Sequence, residues 1–161
     1  MKGRARASVA SLACALMVAS CSSSSTSNFN VTSASVDPSY ACPVGASNVH
    51  YDLYGTIAAH NGTSRTVAIF NVNATLTLAA VQGGWLQKVG DKYHAGDVNF
   101  TPASVGAGAN ATLMVTIPSA CTGRAANATV SSADYRVSYS MTTSAGIFKF
   151  DSKDRHRILT G

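Results

Sequence analysis

The chain is 161 residues long, with twelve Lys and Arg against seven acids, every one of them Asp, and a formal charge of +5. Lys2, Arg4 and Arg6 sit together at the N-terminus; without them nine basic residues face seven acids, a net charge of +2 that is no footprint for nucleic acid. Sparse charge and abundant Ala, Ser, Thr, Gly and Val point to one β-rich exported domain rather than a helical one.

The basic head is followed by an apolar run from Val9 to Ala19, which is the layout of a secretory signal. That run is about half the ~20 residues needed to span a bilayer. It ends in Val18-Ala19-Ser20-Cys21, which resembles the bacterial lipobox: an aliphatic residue and two small ones before a Cys. The resemblance implies cleavage after residue 20, a lipid on Cys21, and a mature protein tethered to a bacterial membrane, facing the periplasm or the exterior. A secretory signal cut elsewhere is the other reading. Cys14 is then discarded with the signal, which leaves Cys42 and Cys121 as one pair in an oxidising compartment, where they are expected to bond.

Residues 21–40, opening with Ser22-Ser23-Ser24-Ser25-Thr26-Ser27-Asn28, read as a Ser-rich flexible tether, and the folded domain is expected over 41–161. From Val49 the hydrophobic period is two: Val49, Tyr51, Leu53, Ile57 and Ala59 share a face opposite His50, Asp52 and Tyr54. His60-Asn61-Gly62-Thr63-Ser64 reads as a turn. A second run puts Ala68, Phe70, Val72, Ala74, Leu76 and Leu78 on one side. Trp85-Leu86-Gln87-Lys88 and Asp97-Val98-Asn99-Phe100 are weaker strand candidates, and Pro102 to Gly108 reads as a loop. Ala111, Leu113, Val115 and Ile117 mark a clear strand that Pro118 is expected to end, with Cys121 in the loop beyond. Tyr135, Val137, Tyr139 and Met141 alternate next, and a turn near Gly146 leads into Ile147 to Asp151. Lys153-Asp154-Arg155-His156-Arg157 reads as a solvated basic chain end.

About seven strands separated by turn signals predict an all-β, antiparallel β-sandwich, with an up-and-down barrel as the competing closure. Ser132-Ala133-Asp134-Tyr135 followed by Val137 and Tyr139 resembles the tyrosine corner of immunoglobulin-like domains. Val137 stands where a true immunoglobulin domain has Cys, and Trp85 is far from Cys42, so the implied architecture is immunoglobulin-like rather than antibody-type. Gly55-Thr56-Ile57 leading to Asn61-Gly62-Thr63 is similar to FxLYD-type domains of bacterial lipoproteins, which implies no activity.

Chemistry is thinly signalled. His50, His60, His94 and His156 have no metal-type spacing among themselves, and no metal or cofactor is expected. There is no G-x-S-x-G elbow, and the Gly106-Ala107-Gly108 stretch opens a strand instead of a helix. The five N-x-S/T sequons, at Asn30, Asn61, Asn73, Asn110 and Asn127, read as Asn-Thr-rich β-sequence in a bacterial protein. The side chains left for binding are Trp85, Tyr93, Tyr54 and His50, with a plug in the core as the favoured reading of Trp85. The expectation is a non-catalytic binding, adhesion or envelope-assembly module. Its partners would be the membrane, through Cys21, and an envelope protein or glycan. The alternative is a carrier or enzyme for a small ligand or polysaccharide.

Overall fold

Strands form here because alternate side chains are apolar and the residues between them are Thr, Ser and Asn, which tolerate an extended backbone facing water. The computed structural model describes residues 28–43, 48–121 and 131–160. Among these residues the strands are β1 (Phe29–Val36), β2 (Ser39–Cys42), β3 (Val49–Asn61), β4 (Val67–Gln82), β5 (Lys92–Asp97), β6 (Asn99–Thr101), β7 (Ser104–Val105), β8 (Asn110–Cys121), β9 (Ser131–Thr143) and β10 (Gly146–Thr160).

One sheet has the order β1-β3-β8-β6, and the other β2-β10-β9-β4-β5, with β7 pairing β4. Every pairing is antiparallel except that of β2 with β10. This is an immunoglobulin-like β-sandwich: β1, β3, β8 and β6 take the positions of strands A, B, E and D, and β4, β9 and β10 those of C, F and G. Leu53, Ile57, Leu113, Val115 and Ile117 of the first sheet and Val72, Leu76, Leu78, Val137 and Met141 of the second fill the space between them.

The domain begins at Phe29 rather than at residue 41. Phe29, Ala34 and Val36 are buried, and β1 pairs with β3 along its length, so the tether expected over 21–40 gives way to strand after Asn28. A bulge between Val31 and Ser33 shifts the inward phase midway, and the polar residues around it have a tether's composition. Cys21 and residues 1–27 lie outside the described residues, as does Asn127.

A second bulge, between Ile69 and Asn71, corrects the reading of β4. Val67 and Ile69 point inward ahead of it and Val72, Ala74, Leu76 and Leu78 after it, leaving Phe70 64% exposed. Pro118 does not end its strand: β6 reaches only to Thr116, beyond which β8 has β3 alone beside it, an edge that tolerates proline. Cys121 is accordingly the last residue of β8. The supposed basic tail is the second half of β10, paired with β9 as far as Thr160. Trp85 makes only an isolated β-bridge and Leu86 to Lys88 is a loop, whereas the expected loop at Pro102–Gly108 contains β7.

Two residues hold unusual positions. A Cβ on Gly55 would lie 2.6 Å from the Ser35 carbonyl oxygen and 3.1 Å from the Tyr139 hydroxyl, so glycine lets β1 cross closely and admits the tip of a phenol from the opposite sheet. Asn61, read as a turn residue and a sequon, is 0% exposed. Its Nδ2 donates to the carbonyls of Arg65, Val105 and Gly106, and its Oδ1 accepts from the Thr63 amide and hydroxyl. It therefore ties the β3–β4 turn to the segment after β7, and its amide is out of reach of a modifying enzyme.

Cys42 and Cys121 are disulfide-bonded, linking β2 of one sheet to β8 of the other across a sequence separation of 79 residues. Replacing both with Ser is expected to cost roughly 4 to 5 kcal/mol on the chain-entropy model, measurable as a lower urea midpoint. Tyr139→Phe should keep or raise stability, by up to about 1 kcal/mol, because the buried Tyr139 hydroxyl has no hydrogen-bond partner among the described residues. A clear loss in the same titration would show that the hydroxyl is satisfied.

Candidate functional site

β4 ends at Gln82, and Gly83, with φ +75°, turns the chain into a loop that closes back on the strand it left. The Gly90 amide donates to the Leu78 carbonyl and the Leu78 amide to the Asp91 carbonyl, while an Asp91 carboxylate oxygen accepts from the Lys88 amide. This pinning places Gln87 over β9. The Tyr135 hydroxyl donates to Gln87 Oε1 at 2.6 Å and the Trp85 indole N–H to the same oxygen at 3.3 Å. Burial pushes the Tyr135 hydroxyl above the usual phenol range.

Beneath the loop is a cleft of about 130 Å³ lined by Gln87, Tyr93, Ser119, Ala120, Tyr135 and Ile158. Leu86 and Val89, on either side of Gln87 in the same loop, are 70% and 60% exposed. Behind it is a buried polar chain. The His156 Nδ1–H donates to the Asp37 carbonyl at 2.8 Å, which leaves Nε2 to accept from the Tyr51 hydroxyl, also at 2.8 Å. Tyr40 stacks on Tyr51 with ring centroids 4.0 Å apart. Burial, partly offset by the Ser119 hydroxyl, pushes Tyr51 up to about 12. Burial likewise holds His156, 1% exposed, below the ordinary imidazole value, against the opposing pull of its bond to Asp37.

The structure thus brings Trp85 and Tyr93 together around Gln87, but not Tyr54 and His50. Those two lie on the outer face of β3, exposed and opposite Thr116 and Ala120. Tyr135 is no tyrosine corner: it stands within β9 and its hydroxyl reaches a side chain of the β4–β5 loop instead of nearby upstream backbone. Gln87, Ser119 and His156 were not singled out by sequence as parts of a cleft. For His156 a signal exists, because exposed Arg155, Arg157 and Leu159 alternate with buried His156, Ile158 and Thr160. Among the described residues no group of three His, Cys, Asp or Glu is placed to hold a metal ion.

The cleft and the start of β1 lie at opposite ends of the sandwich. The Asn28 carbonyl accepts from the Gly62 amide beyond the far end of β3, while Ser119 and Ala120 pair with Tyr51 and His50 at its start. The 13 residues of β3 span about 40 Å at strand rise.

No family model matches the chain, and no curated protein matches it. Solved structures similar to it include the ASH/PapD-like domain 7 of human CEP192, at 10% identity over 94% of this chain and 96% of that one, with a TM-score of 0.29. AggA, the major subunit of aggregative adherence fimbriae type I from Escherichia coli, is 12% identical over 83% of this chain and 96% of its own, with a TM-score of 0.36. The CooA pilin subunit of enterotoxigenic Escherichia coli is 14% identical over 80% and 97%, with a TM-score of 0.28.

His156 makes stability depend on pH. Above the unfolded-state value of 6.5 the ring is neutral in both states and its stabilisation is fully present. As pH falls below that value, the unfolded chain takes up a proton before the folded one, so stability declines until pH has passed the lowered folded value. The drop in urea midpoint between neutral and mildly acidic buffer should therefore be smaller in His156→Gln than in the parent. Equal drops would place the titration elsewhere.

Proposed function

We propose that the protein is a lipid-anchored, non-catalytic binding module of a bacterial cell envelope that presents the cleft under the Trp85 loop to a protein partner. The observation that carries this reading is the polarity of the domain. The chain from Cys21 and its Ser-rich segment would enter at the Asn28 end, and the cleft, bordered by the loop that exposes Leu86 and Val89, lies at the other. Lipidation at Cys21 would tether the first pole and leave the second directed away from the membrane. The Cys42–Cys121 bond supports an exported location, since such bonds persist outside the reducing cytoplasm.

Size and chemistry favour binding over catalysis or small-ligand carriage. About 130 Å³ falls below the ~300–1,000 Å³ usual for small-molecule sites. The lining offers one Ser, two Tyr and a Gln but no Asp or His, so no acid–base pair converges there. A small, partly polar depression bordered by a loop with exposed apolar side chains suits the entry of one side chain from a partner protein.

The mature protein from native membranes should carry a diacyl or triacyl mass on Cys21 that Cys21→Ser abolishes; an unmodified N-terminus elsewhere would mean a free secreted protein. With a photo-crosslinker substituted at Leu86 or Val89, a discrete adduct is expected in that membrane fraction, and none from the same probe at Tyr54. Adducts from Tyr54 alone would move the binding face to the outer surface of β3.

A further inference from the structure

A row of cations crosses the outer face of the larger sheet. Lys92 of β5 is in register with Thr77 of β4, Thr77 with Arg136 of β9, and Arg136 with Arg155 of β10. Residues in register on adjacent strands share a face. These three cations are exposed, whereas Tyr135, Val137 and His156 beside them are buried. At ~4.8 Å between strands the row spans roughly 14 Å, with Arg136 and Arg155 directly opposed. Like charges in that relation are destabilising unless something offsets them.

The described part of the chain does so only in part. Its one ion pair joins Arg157 to Asp134, with Nε and Nη2 at 2.6 and 2.9 Å from the two carboxylate oxygens, which commits the nearest acid to another arginine. That bond, with a smaller pull from the Arg155 charge, holds the Asp134 carboxyl below its usual range, whereas Lys92 and Arg136 have no ion pair among the described residues. Asp151 accepts from the Ser138 hydroxyl, and Asp91 from the Lys88 amide. Asp97 pairs with Asn73, away from the row, and Asp154 sits in the bulge where β10 slips register.

What surrounds the row indicates which anion fits. The adjacent rows are Thr75-Ser138-Asp151 and Asn73-Ser140-Lys149, side chains rich in hydroxyl and amide groups. They floor a shallow hollow beside the cations, and a groove with Arg155 and Arg157 on its wall runs toward Ser39 on the other side. A membrane-binding face combines cations with apolar side chains that enter the lipid boundary; these rows contain none, Tyr139 and Phe150 under the hollow are buried and half-buried, and the one exposed large apolar side chain lining either depression is Leu159, beyond Arg157.

We propose that this outer face binds an acidic polysaccharide, its carboxylates or phosphates taken by Lys92, Arg136 and Arg155 and its sugar hydroxyls by the Ser, Thr and Asn hollow. The inference is independent of the cleft, which lies under the Trp85 loop, and of the fate of Cys21. The test uses the whole chain carrying Cys21→Ser and polygalacturonate as the probe, with neutral dextran and phosphatidylglycerol vesicles as comparisons. Polygalacturonate should bind at about 50 mM salt and weaken steeply by about 300 mM, as charge-driven association does. Arg136→Gln with Arg155→Gln should lose on the order of tenfold in affinity. Lys92→Gln, on another strand, should lose less, and Arg65→Gln, remote from the row, nothing. The double variant should also melt no lower than the parent, because an opposed like-charge pair has gone. No binding to polygalacturonate at low salt, equal binding by the double variant, or a preference for the vesicles would each overturn the proposal.

Discussion

The architecture depends on how the first segment of the domain changes sheets at Asp37-Pro38. The Asp37 amide still donates to Tyr54 of β3, and one residue later the Pro38 carbonyl accepts from Arg157 of β10. Proline has no N–H with which to continue the first ladder, so β1 stops there and β2 starts on the other sheet. The Asp37 carbonyl between these bonds faces inward and is satisfied by His156. A part-buried carbonyl left without a partner would work against the crossing bonds, so the imidazole is part of the crossing itself. The disulfide four residues further on secures the same pole, joining the strand that has just crossed to the sheet it left.

The other pole is held without covalent help. Asn61 uses its whole amide to gather the β3–β4 turn and the backbone after β7. Phe29 packs against Phe148 where the edges of β1 and β10 approach each other. Between the poles the sheets meet through apolar side chains and through the space that Gly55 leaves for Tyr139. The sandwich is therefore a scaffold with two differently built ends and two solvent-facing sides, and function is argued from what each presents. One end receives the chain from the N-terminal segment, and the other carries the cleft. The outer face of the larger sheet carries the cation row, and the outer face of the smaller one shows Tyr54 and Met114 among Thr and Ser.

The cleft and the buried histidine are neighbours, and this couples binding surface to stability. Ser119 lines the cleft on one side and lies against Tyr51 on the other, and Ile158 stands two residues from His156 on the same inward face of β10. Whatever loosens the Asp37–His156–Tyr51 chain therefore acts on the cleft wall as well as on the strand crossing.

Alternation was enough to place β3, β8 and β9 and to say which of their faces turn inward, because period two is a local property of an extended backbone. Cysteine bookkeeping likewise found the Cys42–Cys121 partners. The missing parts share one physical cause. The bulges near Thr32 and Phe70 reverse the inward phase, yet they arise from the partner strand's register and leave no composition behind; one hid β1 as a tether and the other put Phe70 in the core. His156 read as a charged tail because its burial depends on a carbonyl 119 residues earlier. The cleft was half legible: Trp85 and Tyr93 stand out as aromatics in an irregular stretch, but Gln87, Ser119 and Tyr135 join them only when the loop folds back over β9. The sequence by itself determined a disulfide-bonded β-sandwich, since composition and local period depend on each strand alone. Which side chains meet across strands, and hence the cleft, the buried histidine and the cation row, was decided by the tertiary structure, because register is a relation between strands far apart in the chain.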